Sequence, residues 1–347
     1  MFKKTLGIIG GGQLGSMLAQ SAKKLNIRTI IISDDRNAPA KNFSDEFIYG
    51  KYTNKKIINK FLKKVDVITF EFENIPFKVL NLMNKKVKVL PKPLINKIIQ
   101  NRYLEKNFVN ALKIQTTKFE YIKSKKDIYK SLNLLPGILK TCTLGYDGKG
   151  QIIINSAKQI EKIKFDLNKE YILEKKINIK KEISVIITRF ALKKYEIYEP
   201  IENKHKDQIL KYSKVPSNVN SNIKRKSTLY AKLISEKLNY IGTLCVEYFV
   251  DINDNLYVNE IAPRVHNSGH LTINSHNISQ FENHIRAVCK LKKIKTKRIY
   301  KARMINLIGN DIKKYRNKKI KKNQFFFDYL KNDIKPKRKM GHVTILK

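Results

Sequence analysis

Cysteine is scarce in this chain: Cys142, Cys245 and Cys289 make an odd number without the spacing of a metal site. Their scarcity argues against a disulfide framework and leaves reduced thiols as the expectation. No apolar run approaches the roughly 20 residues that a membrane-crossing helix needs. The first four residues lead straight into a strand rather than a secretory leader, so the expectation is a cytoplasmic protein with no membrane partner. Acids are few, 29 against 72 Lys and Arg, which gives a formal net charge of +43. Such an excess attracts nucleic-acid backbones through counterion release. Its distribution points elsewhere, because lysines are scattered, Arg is scarce, and no patch interleaves Arg with aromatics as a dedicated reader does. Specific nucleic-acid binding is not expected; weak sticking at low salt is.

What is present fits a folded enzyme. At 347 residues and 42% hydrophobic content, the chain is long enough for two or three domains with their own cores. The apolar run 6–9 enters Gly10, Gly11, Gly12, Gln13, Leu14 and Gly15, and Met17, Leu18, Ala19, Ala22 and Leu25 follow at helical spacing. A strand at 29–32 then precedes Asp34 and Asp35. This is a βαβ unit with a glycine-rich first turn, consistent with dinucleotide binding or with a tight turn that serves another phosphate. Alternation continues with helices near 55–64 and 76–83 and strands at 65–70 and 87–90, which predicts a parallel α/β domain over roughly the first 90 residues. Glu71, Glu73 and Asn74 end the third strand, at the sheet edge where ligands usually bind.

A helical stretch is expected over 94–112, then strands near 119–122 and 137–140. The second glycine loop, 140–151, interleaves Gly145, Gly148 and Gly150 with Lys140 and Lys149. Glycines let backbone amides approach an anion, and lysine neutralises it, so the loop reads as a phosphate cover or as an ordinary hairpin. The Gly-Lys-Ser/Thr ending of a Walker loop is missing. Residues 171–173 form a strand ending in Glu174 and Lys175, and such an end can offer backbone groups to an adenine edge. His205, in a Lys-, Asn- and Ser-rich stretch, reads by default as a surface histidine.

Residues 259–270 carry the densest chemistry: one carboxylate, one guanidinium, two imidazoles and two amides. Before them, Leu244, Val246, Tyr248 and Val250 are apolar with Glu247 among them. After a turn at 251–255, a second strand starts at 256 and reaches Glu260. The two acids therefore meet across a hairpin, where a cation such as Mg2+ would relieve their repulsion. A solvated strand glutamate is the other reading of Glu247.

In this order the motifs resemble the ATP-grasp family, and within it the branch that carboxylates aminoimidazole ribonucleotide in purine biosynthesis. The resemblance rests on residues 10–15, 69–74, 145–151, 259–270, 279–289 and 338–344, and is weakest at 203–235 and 290–330. It implies an α/β plus α+β fold: a Rossmann-like parallel domain (1–95), a central ATP-grasp domain (96–290, with a smaller subdomain near 115–178), and a small β-rich C-terminal domain (291–347). The implied cofactors are ATP and Mg2+, with Mn2+ as the alternative metal, and the implied state is a homodimer. Arg102, Lys140 and the loop Gly145, Tyr146, Asp147, Gly148, Lys149, Gly150 and Gln151 would contact ATP. Glu174, Lys175, Lys176 and Ile177 would form the adenine hinge, with Glu182 on the ribose and His205 near the nucleotide. Glu247 and Glu260 would hold the metal, with Asn259 beside them. Bicarbonate would lie near Arg264 and His266. The ribonucleotide would lie near Glu71, Glu73, Tyr146, Asp147, Asn267 and Ser268, with Lys331 and Arg338 on its phosphate. Asp147 or a nearby glutamate would take the amine proton.

The chain departs from the family pattern at Ser16, Cys142, Thr143, Val265, Lys335 and Lys337, none of them an implied metal ligand. The rival within the fold is a formate-using glycinamide ribonucleotide transformylase. A nicotinamide-dependent oxidoreductase built on residues 10–15 is the rival outside it, and leaves 137–270 unexplained.

Overall fold

The computed structural model describes residues 4–145, 150–166 and 168–347. Its first sheet is parallel, in the order β3-β2-β1-β4, from β1 (Thr5–Ile9), β2 (Arg28–Ser33), β3 (Glu46–Tyr49) and β4 (Val67–Phe70). Leu6, Ile8 and Ile9 are all buried, as expected of a strand covered on both faces. Helix α1 (Gln13–Lys24) follows the first glycine turn and packs Met17, Leu18 and Ala22 into a core shared with Phe281, Ile285 and Val288. Helices α2 (Lys55–Leu62) and α3 (Phe77–Asn84) complete the unit, α2 being capped by Asn54, whose side chain accepts from the N–H groups of Lys56 and Ile57.

Two sequence expectations change here. The expected strand at 87–90 is reduced to a bridge between Ile68 and Val89, because Pro91 has no N–H with which to extend the ladder. The single helix expected over 94–112 is two, α4 (Pro93–Ile99) and α5 (Arg102–Ala111). Asn101 caps α5 through Tyr103 and Leu104, while the Gln100 side chain turns back to the carbonyls of Glu73 and Ile75.

A small antiparallel sheet, β5-β8-β6-β7, follows: β5 (Phe119–Ile122), β6 (Gly137–Thr141), β7 (Gln151–Ile154) and β8 (Tyr171–Lys175), with helix α6 (Lys125–Lys130) on it. The largest sheet has nine strands: β9 (Ile179–Ala191), β10 (Lys194–Ile197), β11 (Ile201–Lys206), β12 (Ile209–Val215), β13 (Gly242–Asp251), β14 (Leu256–Ala262), β15 (Ala302–Ile308), β16 (Gln324–Asp328) and β17 (Lys339–Leu346). It runs without a break from β14 to the C-terminal strands, because β12 pairs with β15. Helix α7 (Ser221–Lys237) covers one face, and short α8 (Thr272–Ser275) precedes α9 (Gln280–Val288). The polar stretch 203–235, which gave little pattern, therefore supplies two strands and a long helix.

Candidate active site

The hairpin β13–β14 sets the centre of the site. Glu247 stands directly opposite Glu260 in an antiparallel register, so both side chains leave the same face. One residue later Tyr248 pairs with Val258, which leaves Asn259 as a bulge beside the acids. The turn is closed by Asp251, whose Oδ1 accepts from Asn253 N at 2.9 Å and Asn255 N at 2.8 Å.

Each carboxylate has a cationic or protonatable partner. Glu247 Oε1 lies 2.9 Å from His266 Nε2, and Glu260 Oε2 lies 3.4 Å from Arg102 Nη1. Burial works against a charge on Glu247, but the bond to His266 outweighs it and brings the carboxyl down to about 2. Glu260 moves the other way, raised by burial and by repulsion from Glu247. For His266, burial opposes a charge, but the Cys245 sulfur and the Glu247 carboxylate outweigh it and push the imidazole up to about 10. The contact at Nδ1 pulls the other way: the Ser268 N–H points at that nitrogen from 3.3 Å and is answered by a lone pair there, which puts the ring proton on Nε2, towards Glu247.

The turn that carries His266 is clamped. Its N–H donates to Gln280 Oε1 at 2.9 Å and its carbonyl accepts from Gln280 Nε2 at 2.6 Å. Gly269 passes so close that an added Cβ would lie 2.2 Å from Ile186 Cδ1. The first glycine turn joins the same cleft, because Gln13 Nε2 reaches Asn267 Oδ1 at 3.5 Å. Glu71, buried, accepts from Gly12 N at 2.7 Å and so takes the place of a capping side chain at the start of α1. Burial raises its carboxyl, against the pull of that N–H and of Arg264. Arg264, placed from sequence at bicarbonate, forms an ion pair at 2.9 Å with Glu73, placed at the ribonucleotide.

On the other side of Arg102 lies a buried cluster. Glu174 Oε2 is 3.0 Å from Lys140 Nζ and 3.4 Å from Lys106 Nζ, and Lys106 also donates to Thr116 Oγ1 at 2.9 Å and Thr117 Oγ1 at 3.0 Å. Burial disfavours a charge on Glu174, yet the two lysines, with Lys106 the stronger, bring its carboxyl to about 2. The cluster lies beside the expected phosphate loop, and within it burial lowers the proton affinity of Lys106 against the pull of Glu174. Glu105, on the same helix, accepts from Ile261 N at 2.5 Å and is pushed up to about 8 by burial and by Glu260. Lys106 and Glu105 were not singled out from sequence, although they sit four and three residues after Arg102, where a helix presents one face. Ser184 and Asn203, which also bear on the site, left no signal.

Elsewhere the placement is mixed. His205 is not a plain surface histidine: it is half-buried and its Nδ1 pairs with Glu182 Oε2. Burial lowers its proton affinity and Glu182 more than restores it. In the expected adenine hinge, the N–H of Lys175 donates to Lys118 O and that of Lys176 to Pro136 O, both at 2.9 Å. Ser268, expected at the ribonucleotide, is wholly buried behind His266. Lys331 Nζ donates to Lys339 O at 2.7 Å, and Arg338 Nη1 to Asp333 O at 3.1 Å. Gly145 O accepts from Arg102 Nη2 at 3.2 Å, Gly150 O from Thr141 N at 3.0 Å, and Gln151 pairs with Lys140 across β6 and β7. Tyr146, Asp147, Gly148 and Lys149 lie outside the described residues. No helix of the described residues is long and apolar enough to cross a membrane.

Comparison with known proteins gives three family matches in tandem: a ribonucleotide synthetase preATP-grasp domain over 3–100, an ATP-grasp domain over 107–281, and a phosphoribosylaminoimidazole carboxylase C-terminal domain over 302–347. The N5-carboxyaminoimidazole ribonucleotide synthase of Staphylococcus aureus (strain COL) is 38% identical over 350 residues, covering 99% of this chain and 93% of its own. The crystal structure of N5-carboxyaminoimidazole synthetase from Staphylococcus aureus complexed with ADP superposes with a TM-score of 0.92 at 36% identity, over 100% of this chain and 94% of that one. The Aspergillus clavatus N5-carboxyaminoimidazole synthase, in complex with ADP and 5-aminoimidazole ribonucleotide, gives 0.91 at 28% identity, over 99% and 94%.

Proposed function

This chain belongs to the N5-carboxyaminoimidazole ribonucleotide synthase family and is an ATP-dependent ligase that carboxylates 5-aminoimidazole ribonucleotide in purine biosynthesis; from that premise we propose how its residues divide the work. The observation that carries the division is the register of Glu247 against Glu260, with Arg264 and His266 following on the same strand end.

ATP binds between the small sheet and the large one. Lys140 and Arg102 face its phosphates, and Glu174 holds the buried Lys106 and Lys140 side chains in line. Residues 174–177 pass the adenine and Glu182 with His205 holds the ribose side. Glu247 and Glu260 offer hard carboxylate oxygens on one face, a donor set that suits Mg2+ or Mn2+ and would hold it there. The metal, when bound, neutralises charge on the transferring phosphoryl group.

Bicarbonate is a poor electrophile, so phosphorylation to carboxyphosphate precedes C–N bond formation. The Arg264 fork is aimed by Glu73 and presents its donors to bicarbonate, with His266 beside it. The ribonucleotide lies towards Glu71, Glu73 and Asn267, its phosphate held by Lys331 and Arg338. Tyr146 and Asp147, which lie outside the described residues, are assigned to the carboxyphosphate side, and Asp147 or a nearby glutamate takes the amine proton. The reading further includes a cytoplasmic homodimer and the division 1–95, 96–290 and 291–347.

Substrate-dependent ADP release is the test. ADP should appear only when bicarbonate and 5-aminoimidazole ribonucleotide are supplied together; stimulation by formate and glycinamide ribonucleotide instead would overturn the assignment.

A further inference from the structure

A file of buried polar side chains runs from the back of His266 into the large sheet. The Ser268 hydroxyl lies 2.8 Å from His266 Nδ1 and 2.8 Å from Ser184 Oγ on β9. Asn203 on β11 donates through Nδ2 to Ser184 Oγ at 2.9 Å, and Ser213 on β12 donates to Asn203 Oδ1 at 2.8 Å. All three serines are fully buried and Asn203 nearly so. Buried hydroxyls and amides are costly unless paired, and here they pair with one another along a single line. Three adjacent strands contribute to it, and it ends on one imidazole nitrogen.

The line has a direction. The Asn203 amide nitrogen only donates, so Ser184 Oγ accepts from it; with the Ser184 hydroxyl donating to Ser268 and the Ser268 hydroxyl to Nδ1, every member of the line is satisfied in one direction. The Ser268 backbone N–H independently makes Nδ1 an acceptor. The ring proton is thereby left on Nε2, 2.9 Å from Glu247 Oε1.

We propose that Ser213, Asn203, Ser184 and Ser268 are positioning residues for His266, holding its ring so that Nε2–H faces Glu247 and the cleft. The proposal rests on the reading of His266 as a group of the bicarbonate side, and moves Ser268 from substrate contact to support. Replacing Ser184 frees the ring to sample other rotamers and the other tautomer without touching ATP or the ribonucleotide.

The test is a cycle of Ser184→Ala and His266→Gln, with ADP release measured at saturating bicarbonate and 15N signals recorded from labelled histidine. Ser184→Ala should lower kcat about tenfold, the equivalent of about one net hydrogen bond, with KM for ATP and ribonucleotide unchanged. In the His266→Gln background it should lower kcat no further, because the ring through which it acts is gone. Ser184→Thr, which keeps the hydroxyl, should recover most of the rate, and Ser213→Ala gives the same reading from the far end if Ser184→Ala does not fold. Wild-type kcat in Ser184→Ala, or losses that multiply fully in the double variant, would overturn the proposal. If His266→Gln itself keeps full turnover, the role of His266 is what fails. The 15N spectrum then still decides whether the file sets the tautomer: an unchanged Nε2–H signature in Ser184→Ala refutes it.

Discussion

Glu174→Gln is the substitution whose cost can be worked from two directions. The side chain is buried, with two ammonium groups at 3.0 and 3.4 Å that are themselves nearly inaccessible. Removing the carboxylate leaves Lys106 and Lys140 buried with a neutral amide between them. Breaking a buried pair by deleting one partner costs roughly 3–5 kcal/mol. The second route is protonation: a carboxyl held at about 2 instead of its ordinary 4.5 contributes roughly 3 kcal/mol, at about 1.4 kcal/mol per pH unit. The folded carboxyl is depressed, so this stability is present above pH 4.5 and is lost as pH falls towards 2. Urea unfolding should therefore show Glu174→Gln about 3 kcal/mol less stable at pH 7, with the gap to wild type closing below pH 4.5. Lys106→Met added to Glu174→Gln should recover part of the loss, since one uncompensated charge is removed. A Glu174→Gln chain within 1 kcal/mol of wild type at pH 7 would refute the reasoning.

Three further outcomes are expected. Glu260→Gln should retain its fold by circular dichroism and lose at least a hundredfold in turnover; ordinary activity at ordinary Mg2+ would remove it from the metal site. Burial holds His284 and His342 at about 3 and His276 at about 4, against about 6.5 in the unfolded chain. Their contribution is complete above pH 6.5 and falls by about 1.4 kcal/mol per pH unit for each ring as pH drops, so urea midpoints at pH 7 and 5 should converge in His284→Leu relative to wild type. Gly10→Ala should destabilise by roughly 1–3 kcal/mol in the same assay, because φ is +101° and the new Cβ would lie 2.8 Å from Glu71 Oε1.

The site was legible where its chemistry is local. The pairing of Glu247 with Glu260 follows from strand alternation around Glu247 and a five-residue turn, and the register bears it out. Segments with mixed polarity were harder. The long helix expected over 94–112 missed the Asn101 cap, since Leu94, Ile95 and Ile98 carry the helical pattern almost up to the break. In the C-terminal segment, β16 and the helix α10 (Asp311–Arg316) were not anticipated, because lysines dilute their apolar pattern.

By itself the sequence determined the order of motifs, the two glycine turns, the acidic hairpin and the dense segment 259–270, and with them the family. These are properties of neighbours in the chain, governed by backbone geometry and period. Only the tertiary structure decided which groups answer one another: Arg264 with Glu73, Lys106 and Lys140 with Glu174, and Ser213, Asn203, Ser184 and Ser268 in line behind His266. Ser184 and Ser268 are 84 positions apart, and nothing in the local pattern of Ser184 distinguishes it from a surface serine. Burial creates the distinction, because a hydroxyl removed from water must find a partner wherever the packed strands place one.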